Sequence, residues 1–282
     1  MKLNNYCDVT LDIKEIINNC KVIVIAVPAK VFKSTALKLK KLKINRDTIL
    51  LSATKGITTN GIARPSEILN KYFPKNPKAV LSGPNIALDV IKNVPIISVI
   101  ACKKIKYAKL LQELISTDNF RIYTNDDVSG VEIAGALKNV IAIAAGISDG
   151  LGFSISTKAA LISRGLVEIG KISVCEGGRP MTLLGAAGIG DLIATSCSKD
   201  SRNYKVGYAL AKGKKIKEIL AELGQVAEGV ETVKSMIRLA KKHSVSVPIA
   251  SGVYEVIYKN KSPKVVLKNL LKRPLPASEF NF

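Results

Sequence analysis

The sequence predicts an α/β domain followed by an all-α domain, and two observations lead to that prediction. Short apolar runs alternate with helical periods over roughly the first hundred residues, which is typical of an open α/β sheet. From about residue 126 only helical periods with glycine-rich connections follow. The length of 282 residues also favours two domains, at about 150 residues per domain. We place the boundary between 126 and 127, which gives domains over 1–126 and 127–282.

Four continuous apolar runs predict the strands of the first domain. They cover residues 21–28, 48–54, 79–82 and 94–101, and helical periods such as 31–42 and 65–72 lie between them. Runs of this kind are typical of strands buried on both faces of a parallel sheet. Ligands of such sheets bind beyond the carboxyl ends of the strands, which here carry Pro28, Lys55-Gly56 and Gly83-Pro84-Asn85.

Six helical periods predict the second domain. They cover residues 131–147, 157–172, 205–212, 216–223, 230–243 and 264–271. The connections between them are short and rich in glycine. We find no internal repeat, no low-complexity tract and no long linker.

The charge of the chain admits two interpretations. Lys and Arg total 43 against 22 Asp and Glu, which gives a net charge of +21. This balance is typical of a nucleic-acid or anionic-membrane binder. However, only 8 of the 43 cations are Arg, the residue that such surfaces use for bidentate contacts. We therefore favour compositional drift towards Lys and expect no nucleic-acid partner, with a basic nucleic-acid-binding module as the rival from another class.

Cysteine and histidine usage argues against disulfide and metal sites. The five cysteines are odd in number and lack CxxC spacing, and His243 is the single histidine. Residues 1–19 carry Lys, Asp and Glu throughout, unlike a signal peptide. The uncharged apolar stretches fall short of a membrane span. We therefore expect a cytoplasmic protein without a metal or a membrane span.

Lys138 is the first candidate for chemistry. It lies in Ala134-Gly-Ala-Leu-Lys-Asn-Val-Ile-Ala-Ile-Ala-Ala145, a predicted helix that is too apolar on all sides for a surface position. Desolvation lowers the pKa of a lysine and suits it to proton transfer. The alternative is a lysine whose ammonium reaches solvent and has no role.

Five further positions could belong to a site for an anionic substrate. Asp191 ends a flexible glycine-rich stretch and is either a site carboxylate or an ordinary helix N-cap. Ser201, Arg202 and Asn203 lie at a predicted helix start and offer backbone donors and a guanidinium to a phosphate. Lys55 follows a buried strand at the ligand edge of the sheet. Together they describe a phosphate-bearing substrate held between two domains, with a desolvated lysine as proton donor.

The chain resembles the NAD(P)-dependent glycerol-3-phosphate dehydrogenases of the bacterial type. The matching stretches occur in family order over nearly the whole chain, and the combination of Ala-Leu-Lys-Asn with Thr-Lys-Ala-Ala-Leu-Ile and Ser-Arg-Asn is specific. The stretches are Ile25-Ala-Val-Pro28, Thr54-Lys-Gly-Ile57, Leu81-Ser-Gly-Pro84, Val131-Glu-Ile-Ala-Gly-Ala-Leu-Lys-Asn-Val-Ile-Ala-Ile-Ala-Ala-Gly146, Asp149-Gly-Leu-Gly152, Thr157-Lys-Ala-Ala-Leu-Ile-Ser-Arg-Gly165, Gly188-Ile-Gly-Asp191, Ser201-Arg-Asn203 and Val226-Ala-Glu-Gly229.

The resemblance implies a Rossmann-like first domain and reversible hydride transfer between NAD(P)H and dihydroxyacetone phosphate. The product, sn-glycerol 3-phosphate, would supply phospholipid synthesis. Lys138 matches the general acid/base of the family. Positions that match substrate ligands are Lys55, Gly83, Asn85, Lys138, Asp191, Ser201, Arg202 and Asn203, and positions that match contacts to NAD or NADP are Lys55, Ala87, Arg202, Val226 and Glu228. The family usually has Ser or Thr where Asn85 stands.

One departure from the family concerns the start of the chain. The family opens with a strand, a glycine-rich phosphate turn and a helix, whereas residues 4–11 already match a stretch that follows this unit. We expect at least one unit of roughly 30 residues to be missing, so that the Rossmann-like domain is incomplete. A mis-assigned start codon, a split gene and a decayed gene are all consistent with this, and the choice between NAD and NADP stays open. Alternatives are a related two-domain dehydrogenase for another small anion, or an inactive truncated fragment; the resemblance is also compatible with a homodimer.

Overall fold

The computed structural model describes residues 7–17, 20–58, 62–274 and 278. In this part of the chain a five-stranded sheet with flanking helices is followed by helices alone, which confirms the predicted fold class. The strands are β1 (Val22–Ile25), β2 (Ile49–Ser52), β3 (Lys78–Ser82), β4 (Ile96–Ala101) and β5 (Phe120–Asn125). The helices are α1 (Ile13–Ile17), α2 (Ala29–Lys40), α3 (Pro65–Tyr72), α4 (Ala87–Ile91), α5 (Ile105–Ile115), α6 (Val128–Gly150), α7 (Ile155–Cys175), α8 (Pro180–Leu183), α9 (Asp191–Cys197), α10 (Arg202–Ala211), α11 (Ile216–Leu223), α12 (Glu228–Lys242), α13 (Pro248–Tyr258) and α14 (Pro263–Leu271).

The sheet has the spatial order β1-β2-β3-β4-β5. The pairs β1–β2, β2–β3 and β4–β5 are parallel, but β4 runs antiparallel to β3. The open α/β sheet is thus confirmed, but the parallel pairing that the run 94–101 is typical of holds only on the β5 side of β4. The connection between β3 and β4 contains only the five-residue α4, so the chain turns back rather than crossing over the sheet.

Strand β5 was not among the predicted strands. It lies at one edge of the sheet, and of its six residues only Ile122 is fully buried. Apolar and polar residues alternate in β5, which therefore lacks the continuous apolar run that marks β1 and β2. Strand β1 lies at the other edge of the described sheet, and Val24 is 53% exposed, so the expectation that this run is buried on both faces is wrong. Helices α8, α9 and α13 are also absent from the predicted elements. Helices α8 and α9 span only four and seven residues, and glycine and serine break the apolar pattern of α13.

Helix α6 is the centre of the helical part. Asp127 caps it by accepting a hydrogen bond from the backbone N–H of Gly130 at 2.8 Å. Contrary to the sequence expectation, α6 is long and apolar enough to span a membrane by length and composition, but 94% of its most apolar window is buried inside the protein. We interpret α6 as a core helix, since a helix that is apolar on all sides is surrounded by other elements.

Close backbone packing places α10 against α6. A Cβ on Gly207 would lie 1.9 Å from the carbonyl oxygen of Ile143, and one on Gly146 would lie 2.1 Å from the carbonyl oxygen of Tyr204. Only glycine fits at such contacts. This packing brings the N-terminus of α10, with Arg202, to the helix that carries Lys138.

A small apolar cluster joins the sheet to the helical part. Val80 of β3 and Val99 and Ala101 of β4 pack against Val131 of α6 and Ala187. The large core of the helical part and two further clusters on the sheet lie on either side. The carboxyl ends of β2 and β3 lie against α6, since a Cβ on Gly135 would lie 2.4 Å from Oγ of Ser82 and 3.9 Å from Cγ of Lys55.

Candidate active site

Lys138 is buried in the middle of α6, with 5% of its surface exposed. Its Nζ donates hydrogen bonds to Oδ1 of Asp191 and, at 2.6 Å, to Oγ1 of Thr195. Burial, aided by the positive charge of Lys55, lowers the pKa of Lys138 to about 7, and the Asp191 carboxylate opposes this shift. The ammonium group thus reaches a buried carboxylate rather than solvent, which excludes the alternative of a lysine extended to the surface.

Asp191 links two lysines. It is 2% exposed, and its Oδ2 lies 2.9 Å from Nζ of Lys55. It is the first residue of α9, whose N-cap is Gly190, so its side chain forms ion pairs instead of capping the helix. The preceding π-helical segment Ala186–Gly190 sets its position. When Lys138 is protonated, two cations share one carboxylate, and the resulting net positive charge favours an anionic ligand.

Lys55 extends from the carboxyl end of β2 to that of β3. Its Nζ donates to the carbonyl oxygen of Gly83 and to Oδ1 of Asn85, both at 2.6 Å. Gly83 has φ +143°, and a Cβ there would lie 2.8 Å from Cα of Ser98. This turn therefore requires glycine. The structure brings Lys55, Gly83 and Asn85 together at the edge of the sheet that faces α6.

A buried amide network connects α6, α10 and α12. Nδ2 of Asn203 donates to Oδ1 of Asn139 at 2.9 Å, and the backbone N–H of Gly229 donates to Oδ1 of Asn203 at 2.9 Å. Asn139 follows Lys138 directly on α6. The network fixes the start of α10 relative to the buried lysine.

Ser201 and Arg202 form the start of α10, as the sequence predicts. Oγ of Ser201 accepts a hydrogen bond from the backbone N–H of Tyr204 at 3.3 Å, so Ser201 is the N-cap. Arg202 is exposed at the first helical position, and its charge lowers the otherwise raised pKa of Glu228. A guanidinium at a helix N-terminus beside a cationic cleft suits a phosphate.

Glu228 lies at the start of α12 and reaches across to the α/β part. Its Oε1 accepts a hydrogen bond from the backbone N–H of Ala29, the first residue of α2, at 3.2 Å. Burial raises the pKa of Glu228. Ala87 begins α4 and Val226 precedes α12; both are exposed, and in the described part of the chain both lie outside the network of ion pairs.

Sequence reasoning missed two residues of this network. Thr195 lies four residues after Asp191, a spacing that puts both side chains on one face of α9. Asn139 is a polar residue within the same apolar run that singles out Lys138. The spacing of Thr195 and the polarity of Asn139 are visible in the sequence. Many helical residues without a role share these features, however, and only the packing of the neighbouring helices shows that Thr195 and Asn139 belong to the network.

Comparison with known proteins identifies the family. Residues 1–108 match the family model for the N-terminus of NAD-dependent glycerol-3-phosphate dehydrogenase, and residues 127–268 match the model for its C-terminus. The chain belongs to the NAD-dependent glycerol-3-phosphate dehydrogenase family.

Individual members of this family are similar over most of their length. Glycerol-3-phosphate dehydrogenase [NAD(P)+] of Thermoanaerobacter sp. is 42% identical over 94% of this chain and 80% of the relative. The enzyme of the same name from Synechocystis sp. is 41% identical over 96% of this chain and 85% of the relative. The crystal structure of glycerol-3-phosphate dehydrogenase from Coxiella burnetii superposes with a TM-score of 0.89 at 35% identity, over 93% of this chain and 80% of that one. The expectation that a first unit is missing stays a prediction.

Proposed function

We propose that the chain reduces dihydroxyacetone phosphate reversibly with NAD(P)H to sn-glycerol 3-phosphate, which supplies phospholipid synthesis. The observation that supports this proposal most strongly is the buried Lys138, whose pKa is lowered to about 7 and whose ammonium is held by Asp191 and Thr195. Reduction of a ketone requires a proton donor near neutral pH. The names of the family models and relatives point to the same reaction.

In the proposed reaction NAD(P)H supplies a hydride to the carbonyl carbon. Lys138 donates the proton that the carbonyl oxygen needs as its C=O bond becomes a C–OH bond. In the reverse direction neutral Lys138 accepts the hydroxyl proton. A lysine with a pKa of about 7 serves both directions near neutral pH.

Asp191, Thr195 and Lys55 position the proton donor. Asp191 accepts from both lysines, and Oγ1 of Thr195 contacts both Nζ of Lys138 and, at 3.4 Å, Oδ1 of Asp191. The positive charge of Lys55 keeps the pKa of Lys138 low and attracts the anionic substrate. Gly83 and Asn85 hold Lys55 from the sheet side and would contact the substrate.

Arg202, Ser201 and Asn203 would bind the phosphate of the substrate. Arg202 is exposed at the first position of α10, while Ser201 caps that helix and Asn203 is fixed by the amide network. The guanidinium can form two parallel hydrogen bonds to phosphate oxygens, and the helix N-terminus favours negative charge.

NAD or NADP would contact Lys55, Ala87, Arg202, Val226 and Glu228. Ala87 and Val226 expose apolar surface that suits the nicotinamide ring, and Arg202 exposes a cation that suits a phosphate of the cofactor. The backbone N–H of Ala29 at the start of α2 already bonds to Glu228. We therefore do not assign the pyrophosphate to that helix N-terminus.

We also propose where the enzyme acts and how many subunits it has. A small-molecule substrate and a diffusible nucleotide favour a cytoplasmic enzyme, and the family resemblance favours a homodimer. Sedimentation velocity measures the oligomeric state directly.

A steady-state assay tests the proposed reaction. Oxidation of NADH and NADPH is followed by absorbance, with dihydroxyacetone phosphate and, as the matched control, unphosphorylated dihydroxyacetone. We expect kcat/KM to be at least about 100-fold higher for the phosphorylated ketone, since two charge-assisted contacts to phosphate are lost in the control. Equal rates for both ketones would indicate a related dehydrogenase with another substrate, and no turnover of either would contradict the proposal.

A further inference from the structure

A basic cavity lies at the end of β3 opposite to the candidate active site. Its volume is about 270 Å³. Lys78, which lines it, begins β3, whereas Gly83 follows the last residue of that strand. Five residues of extended chain separate the two positions by roughly 16 Å. The cavity, which we call the α3–α5 cavity, is therefore distinct from the site around Lys138.

The charges that line the α3–α5 cavity are almost all positive. Its cationic side chains are Arg64, Lys75, Lys78, Lys103 and Lys104, and the carboxylate among its lining residues is Glu67. Glu67 is already paired with Arg64 at 2.7 Å. None of the four lysines forms a salt bridge with another described residue. Four positive charges around one cavity consequently lack a counter-charge.

Two donors at the cavity are poorly satisfied. Nε of Arg64 is buried and has no hydrogen-bond partner among the described residues, although the guanidinium also contacts Ser129 and Glu67. Nζ of Lys78 has the carbonyl oxygen of Pro74 at 3.3 Å, and partial burial lowers the pKa of Lys78. Burying donors and cations without acceptors costs free energy that a bound anion would offset.

The N-terminus of α5 opens next to these lysines. Its N-cap is Lys104, which provides no side-chain acceptor for the first turn, and the first turn contains no acidic residue. The partial positive charge of an 11-residue helix therefore adds to that of Lys103 and Lys104.

We propose that the α3–α5 cavity binds a small polyanion that carries phosphate groups, of the diphosphate class. Four uncompensated lysines match an anion with three or more negative charges, which a carboxylate or a single phosphate monoester does not supply. Lysine binds phosphate as a point charge, and helix N-termini favour the same group. This site is independent of the proposed function, because none of its residues belongs to the candidate active site.

Calorimetric titration with inorganic pyrophosphate at constant ionic strength tests the proposal. Three proteins are compared: the wild type, the cavity variant Lys78→Gln/Lys104→Gln, and the control Lys33→Gln/Lys109→Gln. The control removes the same charge from two exposed lysines outside the cavity lining. Each charge-assisted contact contributes about tenfold or more to affinity. We expect the affinity of the cavity variant to fall at least tenfold and that of the control to stay within twofold of the wild type.

A charge-conserving variant completes the test. Lys78→Arg/Lys104→Arg keeps both cations, and we expect it to bind pyrophosphate within about threefold of the wild type. Equal losses in the cavity variant and the control, or wild-type affinity in the cavity variant, would overturn the proposal, as would the absence of saturable binding. The readout does not involve turnover, so a failure here is distinguishable from a failure of the proposed reaction.

Discussion

The two parts of the molecule contribute to the candidate active site in different ways. The helical part supplies buried groups that hold one another: Lys138 with Asp191 and Thr195, and Asn203 with Asn139. The α/β part supplies Lys55, which is 22% exposed and is held by the side chain of Asn85 and the carbonyl oxygen of Gly83 at a strand end. Proton transfer thus depends on the core of the helical part, whereas the sheet edge contributes charge and binding.

The cost of burial explains this division. A buried ammonium is tolerated only when it is paired, and removal of a partner leaves an uncompensated charge. Lys138 meets this requirement through α9, which packs on α6. Substitutions of the buried groups in the helical part should therefore change the rate of the chemical step. Substitutions of the more exposed groups at the rim of the site, Lys55 at the sheet edge and Arg202 at the start of α10, should change binding.

Lys138→Met removes the proton donor that the helical part contributes, and we expect it to have the largest effect on turnover. We expect kcat to fall about 100- to 10,000-fold, the range for loss of a positioned proton donor, while the fold is retained. Lys205→Met removes an exposed cation from the neighbouring α10 and is the matched control, with a rate near that of the wild type. Retention of more than a tenth of the wild-type kcat in Lys138→Met would contradict the role of Lys138.

Arg202→Lys tests the rim and should have a smaller effect. Lysine keeps the charge but cannot form two parallel hydrogen bonds to phosphate. We expect KM for dihydroxyacetone phosphate to rise about tenfold, as for the loss of one charge-assisted hydrogen bond. Turnover of dihydroxyacetone at matched concentrations is the control; if it declined equally, Arg202 would not be a phosphate ligand.

Glu132→Gln separates stability from proton transfer, because it changes a buried ionisable group on α6 that lies outside the proton-transfer network. Its carboxylate accepts from the backbone N–H of Ser66 at 2.8 Å, and burial raises its pKa to about 7. A raised carboxyl pKa gives stability that is present below pH 4.5 and lost as the pH rises towards 7. We expect Glu132 to lower the free energy of unfolding of the wild type by roughly 3 kcal/mol at most over this window. The fall should be smaller by this amount in the variant, in which Glu168, whose pKa burial also raises to about 7, still contributes.

Denaturant unfolding at several pH values measures this difference. In the same variant kcat should stay within about twofold of the wild type, because Glu132 does not contact Lys138 or Asp191. A large loss of kcat with unchanged stability would mean that Glu132 takes part in proton transfer together with Lys138.

The sequence predicts part of this arrangement, and the reasons are specific. The continuous runs of β1 and β2 and the apolar surroundings of Lys138 are local signals, and the structure confirms the elements they indicate. The antiparallel direction of β4 and the edge strand β5 depend on tertiary pairing, which a local pattern does not record. The contact between Lys138 and Asp191 joins residues 53 positions apart. The sequence therefore identifies both residues as candidates but does not predict that their side chains are in contact.

The pH dependence of both reaction directions tests the role of Lys138 most directly. Reduction needs the protonated amine and oxidation needs the neutral amine. With a pKa of about 7, kcat/KM for reduction should fall as the pH rises above about 7, and kcat/KM for oxidation should rise up to about 7 and then level off. Profiles that change in the same direction for both reactions, or that show no inflection between about pH 6 and 8, would contradict Lys138 as the general acid and base.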